Sequence, residues 1–294
     1  MRFSVVIPVY NRAEPLRRAI ASVLAQSCQE FEIVVVDDGS NDDPRAAAEC
    51  FADPRIRFFR QENGGGGAAR NTGIDQAQGD WIAFLDSDDV FLPGHLEQMS
   101  ALLDGTANTA GYAPMIVERG AGRRTVKPPR ALRHGEDMAT YLLCDRGFVP
   151  TITLVLPREI ARNVRYDDTL PFAQDTDFAI RLFQSGCRFV MAKEPGAVWK
   201  DLPDPNRVSA GRKGARLIPW LAKMRLPSKA RIGAQGWLIA KGLAPSHPLK
   251  ALGLYLKAVL RGCYSPKLAL VIGLQIFFPD ALYRRLADGV IGRS

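Results

Sequence analysis

The residues most suited to chemistry are the aspartates of Asp86-Ser87-Asp88-Asp89, which directly follow the apolar run Trp81–Leu85. Two carboxylates held one residue apart at a strand end repel each other unless positive charge sits between them. Hard divalent cations such as Mg²⁺ or Mn²⁺ meet that need, because they take oxygen ligands and keep positions open for water and phosphate. Asp88 and Asp89 also suit a purely structural task, since aspartate favours turns and caps. Zinc is not indicated: the chain has no C-x-x-C or H-E-x-x-H pattern and only three histidines, His95, His134 and His247. Two more polar clusters end apolar runs, Pro8-Val9-Tyr10-Asn11-Arg12 and Asp37-Asp38-Gly39-Ser40. The run Gly64–Gly67 precedes Ala68-Ala69-Arg70-Asn71; it could cradle phosphate on bare backbone N–H groups or be no more than a flexible loop.

These clusters need strands to present them. Residues 3–9, 31–37, 56–60 and 81–86 are short apolar, β-branched runs, each a candidate buried strand. Helical spacing connects them over 13–26, where Ala13, Leu16, Ala19, Ile20, Val23 and Leu24 share a face, and over 43–52 and 67–77. Alternation of this kind predicts βαβ units and a Rossmann-like, mostly parallel α/β sheet with flanking helices. Ligands in such sheets bind beyond the carboxyl ends of the strands, which is where the polar clusters fall.

With 294 residues, 47% hydrophobic and 24% charged, the composition is that of a globular protein. It excludes disordered, collagen-like and multi-span membrane classes. Five scattered cysteines argue against a disulfide framework, and the start Met1–Pro8 lacks the pattern of a signal peptide, so a cytoplasmic location is expected. The net charge of +8 hides a gradient. Residues 1–100 carry 9 basic against 16 acidic groups, 101–200 carry 14 against 11, and 201–294 carry 16 against 4.

Taken together, FSVVIPVYNR, SVLAQSCQEFEIVVVDDGSNDD and ENGGGGAARNTGIDQAQGDWIAFLDSDD resemble the donor half of family 2 inverting nucleotide-sugar glycosyltransferases of GT-A fold. A second block, Thr151–Pro157 through LPFAQDTDFAIRLFQSGCRF, resembles the acceptor-side segment of that family. The match covers about residues 3–95 and 150–190, and several motifs in fixed order are far more specific than any one alone. The resemblance implies a metal-dependent transfer of a sugar from a nucleotide donor, with uridine diphosphate the expected carrier. The acceptor would be a saccharide or lipid-linked hydroxyl, in cell-surface polysaccharide or glycan synthesis.

Residue by residue, it implies that Pro8 and Tyr10 line the base pocket, with the Tyr10 ring on a uracil. Asp38 would accept a hydrogen bond from the base, Arg70 would sit near the nucleotide, and Asp86 would approach the ribose or sugar. Asp88 is the implied ligand for Mn²⁺ or Mg²⁺. Asp175 aligns with the general base; capping the helix 176–185 is its structural alternative, and Asp177, Asp167 and Asp168 are fallback bases. Two positions depart from the family pattern. Gln174 stands where Glu is common, and Trp199–Pro205 lacks the His often found there, leaving Asp201, Asp204 or water to replace it.

The resemblance also sets the division: a glycosyltransferase domain over 1–210, with a donor half 1–100 and an acceptor half 101–210, then a helical basic region 211–294. From Pro205 to Pro279 there are thirteen Lys or Arg residues and no acid. The longest uncharged apolar stretch, Leu268–Pro279, has 12 residues, too few to span a bilayer. Basic residues interleaved with Trp220, Trp237, Tyr255, Phe277 and Phe278 suit interfacial helices on an anionic membrane, or a bundle that closes the domain. No nucleic-acid module is recognised, so no nucleic acid is expected. Two competing functions predict different features. A methyltransferase would need a glycine-rich turn after the first strand, where Tyr10-Asn11-Arg12 stands; a non-catalytic nucleotide-sugar binder would not need Asp86, Asp88 and Asp175 together.

Overall fold

The computed structural model describes residues 2–119, 123–145, 147–201 and 214–278. The chain divides into two compact units, Met1–Arg133 with Phe148–Asp204, and His134–Gly147 with Pro205–Ser294. The segment 134–147, assigned on sequence to the acceptor half, therefore groups with the basic helices.

The first unit is built on strands β1 (Phe3–Val9), β2 (Phe31–Asp37), β3 (Ile56–Arg60), β4 (Trp81–Phe84), β5 (Val90–Phe91), β6 (Thr109–Tyr112), β7 (Met115–Arg119), β8 (Arg123–Lys127), β9 (Val155–Pro157), β10 (Arg188–Met191) and β11 (Ala197–Lys200). Seven form one sheet in the order β10-β6-β9-β4-β1-β2-β3, parallel throughout except for β9, which runs against both neighbours. The mostly parallel sheet expected from the sequence is thus present. β1 and β2 are almost wholly buried, as continuous apolar runs require when both faces are covered. A smaller sheet, β5-β11-β7-β8, lies alongside in sequence order after β4.

Helices α1 (Ala13–Leu24), α2 (Pro44–Glu49), α3 (Gly65–Gln76) and α4 (His95–Leu103) alternate with these strands; α5 (Met138–Cys144) belongs to the second unit, and α6 (Arg158–Val164) and α7 (Gln174–Gln184) follow. The α1 stripe Leu16, Ala19, Ile20 and Val23 is buried as its spacing predicts. In α2, Asp43 caps the helix by accepting from Ala46 N at 3.0 Å, and Pro44 opens its first turn. α3 lies close on β1: a Cβ at Gly73 would meet Val6 Cγ1 at 2.2 Å.

The second unit is helical, with α8 (Ile218–Lys223), α9 (Ser228–Ala234), a π turn Gln235–Ile239, α10 (Ala240–Leu243), α11 (Pro248–Leu260) and α12 (Pro266–Phe277). Its core is made largely of small residues, including Ala240, Ala251 and Ala258, with Ile272 and Ile276. The segment α5 meets α9 at Gly233, where a Cβ would stand 2.4 Å from Cys144 Sγ. The aromatic side chains of the interfacial reading divide: Phe277 and Phe278 are exposed, whereas Trp220, Trp237 and Tyr255 are engaged within the unit. Trp220 is buried, Trp237 donates to Gln275 Oε1 at 2.9 Å, and Tyr255 donates to the Ala269 carbonyl at 2.8 Å, so these rings serve packing. Among the described residues no helix is long and apolar enough to cross a membrane.

Candidate active site

The carboxyl ends of β1, β2 and β4 bring the polar clusters together, and each aspartate has its own task. Buried Asp37 accepts from Ser40 N at 2.9 Å and pairs with Arg60 at 3.0 Å, fixing the turn after β2. Asp38, also buried, accepts from Gly64 N at 2.9 Å, Gly65 N at 2.8 Å and Gln61 Nε2 at 2.8 Å. The glycine run is therefore not a loose loop, and two of its N–H groups are spent on Asp38. These bonds let Asp38 shape the entry to α3. That helix starts two residues earlier than its spacing suggested, with Gly65 at φ +85°, a conformation open to glycine.

Gly67 allows a close approach. A Cβ there would lie 2.9 Å from Gln174 Nε2 and 3.4 Å from Asp168 Cα, so a side chain would displace the Gln174 amide where the first turns of α3 and α7 meet. Gln174 is in turn anchored by donating to the Leu170 carbonyl at 2.8 Å. The departure from Glu to Gln thus puts a neutral donor, not a second carboxylate, at this contact.

Arg70, one helical turn into α3, is the hub. Its guanidinium bonds Asp86 Oδ1 at 2.5 Å and lies 5.4 Å from the ring centre of Tyr166. Tyr166 stacks on Phe178 at 4.0 Å and meets Phe84 edge-on at 5.5 Å, forming an aromatic floor. Asn71 holds that floor by donating to the Tyr166 carbonyl at 2.9 Å and accepting from its N–H at 2.8 Å. Burial alone would lower the pKa of Arg70, but the charges of Asp86 and Asp175 raise it, so the arginine stays charged. Its Nε is buried without a hydrogen-bond partner.

Asp175 sits in the first turn of α7, not at its cap; the capping position is Ala173, at φ +60°. The helix begins two residues before the expected 176, and no side chain caps it. Desolvation raises the pKa of the Asp175 carboxyl, opposed by the Thr176 N–H bond at 2.7 Å and by Arg70, and reinforced by Asp86. Arg70, Asp86 and Asp175 thus share one electrostatic cluster. The fallback bases are otherwise engaged or outward: Asp177 is paired with Arg181 at 2.5 Å, Asp167 accepts from Thr169 N at 3.0 Å, and Asp168 is exposed.

Asp88 does not share a bound charge with Asp86. It pairs with Arg12, while Asp86 pairs with Arg70 and Asp89 accepts from Lys200 N at 3.1 Å. The repulsion anticipated within this motif is thus relieved by two arginines, and its three carboxylates tie down three separate elements. Among the described residues no three His, Cys, Asp or Glu side chains gather as metal ligands. Asp201, a suggested substitute for the missing His, is held by Arg119 at 2.8 Å, and Asp204 lies outside the described residues. Tyr10 stands 47% exposed just beyond β1, and Pro8, half-buried, pairs with Val36. Sequence reasoning missed Arg12 as a partner of Asp88 and Tyr166 as the floor beneath Arg70. Arg12 stood in one of the clusters at the strand ends, which was its only signal.

A mostly parallel sheet with a desolvated acid beside an arginine at its carboxyl edge is the architecture of a doubly wound α/β protein, whose ligands bind at that edge. Residues 4–178 match the family model described as glycosyl transferase family 2, and the chain belongs to that family. It is 34% identical over 235 residues to the amylovoran biosynthesis glycosyltransferase AmsB of Erwinia amylovora, covering 76% of this chain and 77% of that one. It is 32% identical over 221 residues to the succinoglycan biosynthesis protein ExoW of Rhizobium meliloti, covering 67% and 68%. Among solved structures, S. aureus TarS 1-349 in complex with UDP-GlcNAc superposes with TM-score 0.66 at 19% identity, over 94% of this chain and 87% of that one. The mannosyltransferase PcManGT of Pyrobaculum calidifontis, in complex with GDP-Man and Mn²⁺, gives 0.58 at 18% identity, over 94% and 85%. The fold is shared with both, and the chain is a glycosyltransferase.

Proposed function

We propose that this enzyme transfers a sugar from a nucleoside diphosphate donor, with uridine diphosphate the preferred carrier, to a saccharide or lipid-linked hydroxyl, inverting the anomeric centre. The observation that carries this reading is the desolvated carboxylate of Asp175 beside the Arg70–Asp86 pair. A carboxyl whose pKa is raised is suited to take a proton from an alcohol as it attacks. The hydroxyl oxygen then displaces the diphosphate from the opposite face of the sugar in a single step, which gives inversion. Tyr10 offers an exposed ring for stacking on the base, and Pro8 borders the same pocket. Arg70 carries an unsatisfied N–H that a sugar or phosphate oxygen would satisfy. The biosynthetic names of AmsB and ExoW favour a cell-surface polysaccharide as the product.

The donor set fits a hard divalent cation held mainly by the diphosphate. Asp88 presents a carboxylate whose side chain is 37% exposed, with only oxygen donors nearby in the motif. Mn²⁺ or Mg²⁺ bound there would offset the negative charge that grows on the departing diphosphate. Arg12 already supplies positive charge at this carboxylate.

A nucleotide-release assay across UDP- and GDP-sugars, with and without Mn²⁺, tests the reading. Turnover of at least one sugar donor is expected, lost on chelation and in Asp88→Ala with the fold retained. Release that is independent of metal and unaffected in Asp88→Ala removes the metal role. Product of retained configuration removes the single displacement.

A further inference from the structure

The exposed apolar surface of this protein is concentrated in the second unit. Eight of the ten large apolar side chains that are exposed among the described residues lie there, and four of them belong to α11. Leu249, Leu252, Leu256 and Leu260 are 83%, 39%, 45% and 85% exposed. At about 100° per residue these four fall within an arc of roughly 80°. Ala251 and Ala258, both 0% exposed, lie on the opposite side of the helix and face the core of the unit. Gly253 also falls on the leucine side, where a Cβ would meet nothing within 4 Å. α11 is therefore amphipathic in an unusual sense: Ala251, Ala258 and Leu254 pack inward, and Leu249, Leu252, Leu256 and Leu260 face out.

Charge decides what covers this stripe. Lys250 and Lys257 are exposed on α11, and Arg261 and Lys267 are exposed just after it. No Asp or Glu occurs anywhere from Pro205 to Pro279. A second copy docked leucine to leucine would bring these cations together with no acid from this region to pair them. An anionic lipid surface supplies the missing charge, and its interfacial layer accepts leucines to a depth of about 5–10 Å.

We infer that the leucine face of α11, flanked by Lys250, Lys257, Arg261 and Lys267, is a docking surface for an anionic membrane. This deepens the reading of a lipid-linked acceptor and locates the attachment in leucines, not in the tryptophans of the same unit. A stripe of this length lies in the interface and does not cross it.

The test is co-sedimentation of the full chain with vesicles of phosphatidylcholine alone, or mixed with an equal part of phosphatidylglycerol. Binding is expected only to the mixed vesicles and is expected to weaken as salt is raised. The variant Leu252→Glu/Leu256→Glu is expected to lose about tenfold or more in partitioning. Leu249→Ser/Leu260→Ser, at the two most exposed positions, guards against misfolding as the cause, and it too is expected to bind more weakly with an unchanged melting curve. Equal partitioning of wild type and both variants overturns the inference, as does wild-type binding that ignores lipid charge. Light scattering that shows a dimer broken by the variants, with vesicle binding intact, assigns the stripe to a second copy instead. Nucleotide release in the absence of lipid is measured alongside; its loss in wild type bears on the proposed chemistry and not on this surface.

Discussion

Two desolvated acids sit at opposite ends of the main sheet, and their surroundings differ in what they leave unsatisfied. Glu32, at the start of β2, is 3% exposed. It accepts from Ser4 Oγ at 2.6 Å, Gln78 N at 2.6 Å, Gly79 N at 3.2 Å and Arg57 Nη1 at 2.8 Å. Desolvation pushes its pKa up, but these donors outweigh it and hold the pKa below the usual carboxylate range. Asp175, beyond the carboxyl ends of the strands, is half-buried and also desolvated, yet it accepts from its immediate neighbour Thr176, and its pKa stays raised. A fully bonded acid stabilises a fold; an under-bonded one keeps proton affinity for chemistry. Desolvation acts on both, so the hydrogen-bond inventory is what separates structure from function.

Replacing each acid by its amide tests that contrast, with the largest effect at Asp175. Asp175→Asn is expected to lower kcat by about 10²–10⁴-fold while donor affinity and melting temperature hold. A loss confined to donor binding would assign Asp175 to the nucleotide pocket. Glu32→Gln is expected to do the reverse: a loss of roughly 1–3 kcal/mol in denaturant unfolding, with kcat unchanged. A drop in kcat without loss of stability breaks the comparison.

His95 extends the contrast to pH. It is 1% exposed, neither ring nitrogen has a hydrogen-bond partner, and burial lowers its pKa to about 3. The folded value lies below the unfolded one, so the unfolded chain binds the extra proton first. Stability is therefore full above about pH 6.5 and falls as the pH drops towards 3, by up to about 1.4 kcal/mol per pH unit. His95→Gln is expected to flatten that slope in melts taken across this range. The smallest effect is at Arg70. Asp175 must be ionised to act, so activity rises with pH through its raised pKa, and Arg70 restrains that rise. Arg70→Gln is expected to move the acid limb of kcat upward. A limb that moves down instead contradicts the charge coupling.

The parts of the fold legible in the sequence are those set by local pattern. β1, β2 and β3 coincide with their apolar runs, and the α1 stripe is buried as spaced. Arg70, Asp86 and Asp175 were named through the family resemblance, and they do come together. What stayed hidden depends on partners distant in sequence. Arg12 reaches Asp88 across 76 positions, and the target of Asp38 is a backbone that exists only once α3 has started early. The tryptophans of the basic region looked interfacial because composition cannot distinguish a ring that packs from one that is presented. Alanines at 251 and 258 face the core of that unit, which leaves Leu249, Leu252, Leu256 and Leu260 outside.

The placement of His134–Gly147 in the helical unit means the peptide chain passes between the two units three times. The C-terminal helices are thus no removable tag. A gene shortened near codon 211 would still encode α5, whose buried Met138, Tyr141, Leu142 and Leu143 would be made without the α9 contact at Gly233. Anyone preparing a minimal enzyme should expect such a product to collect in inclusion bodies unless that loop is excised as well.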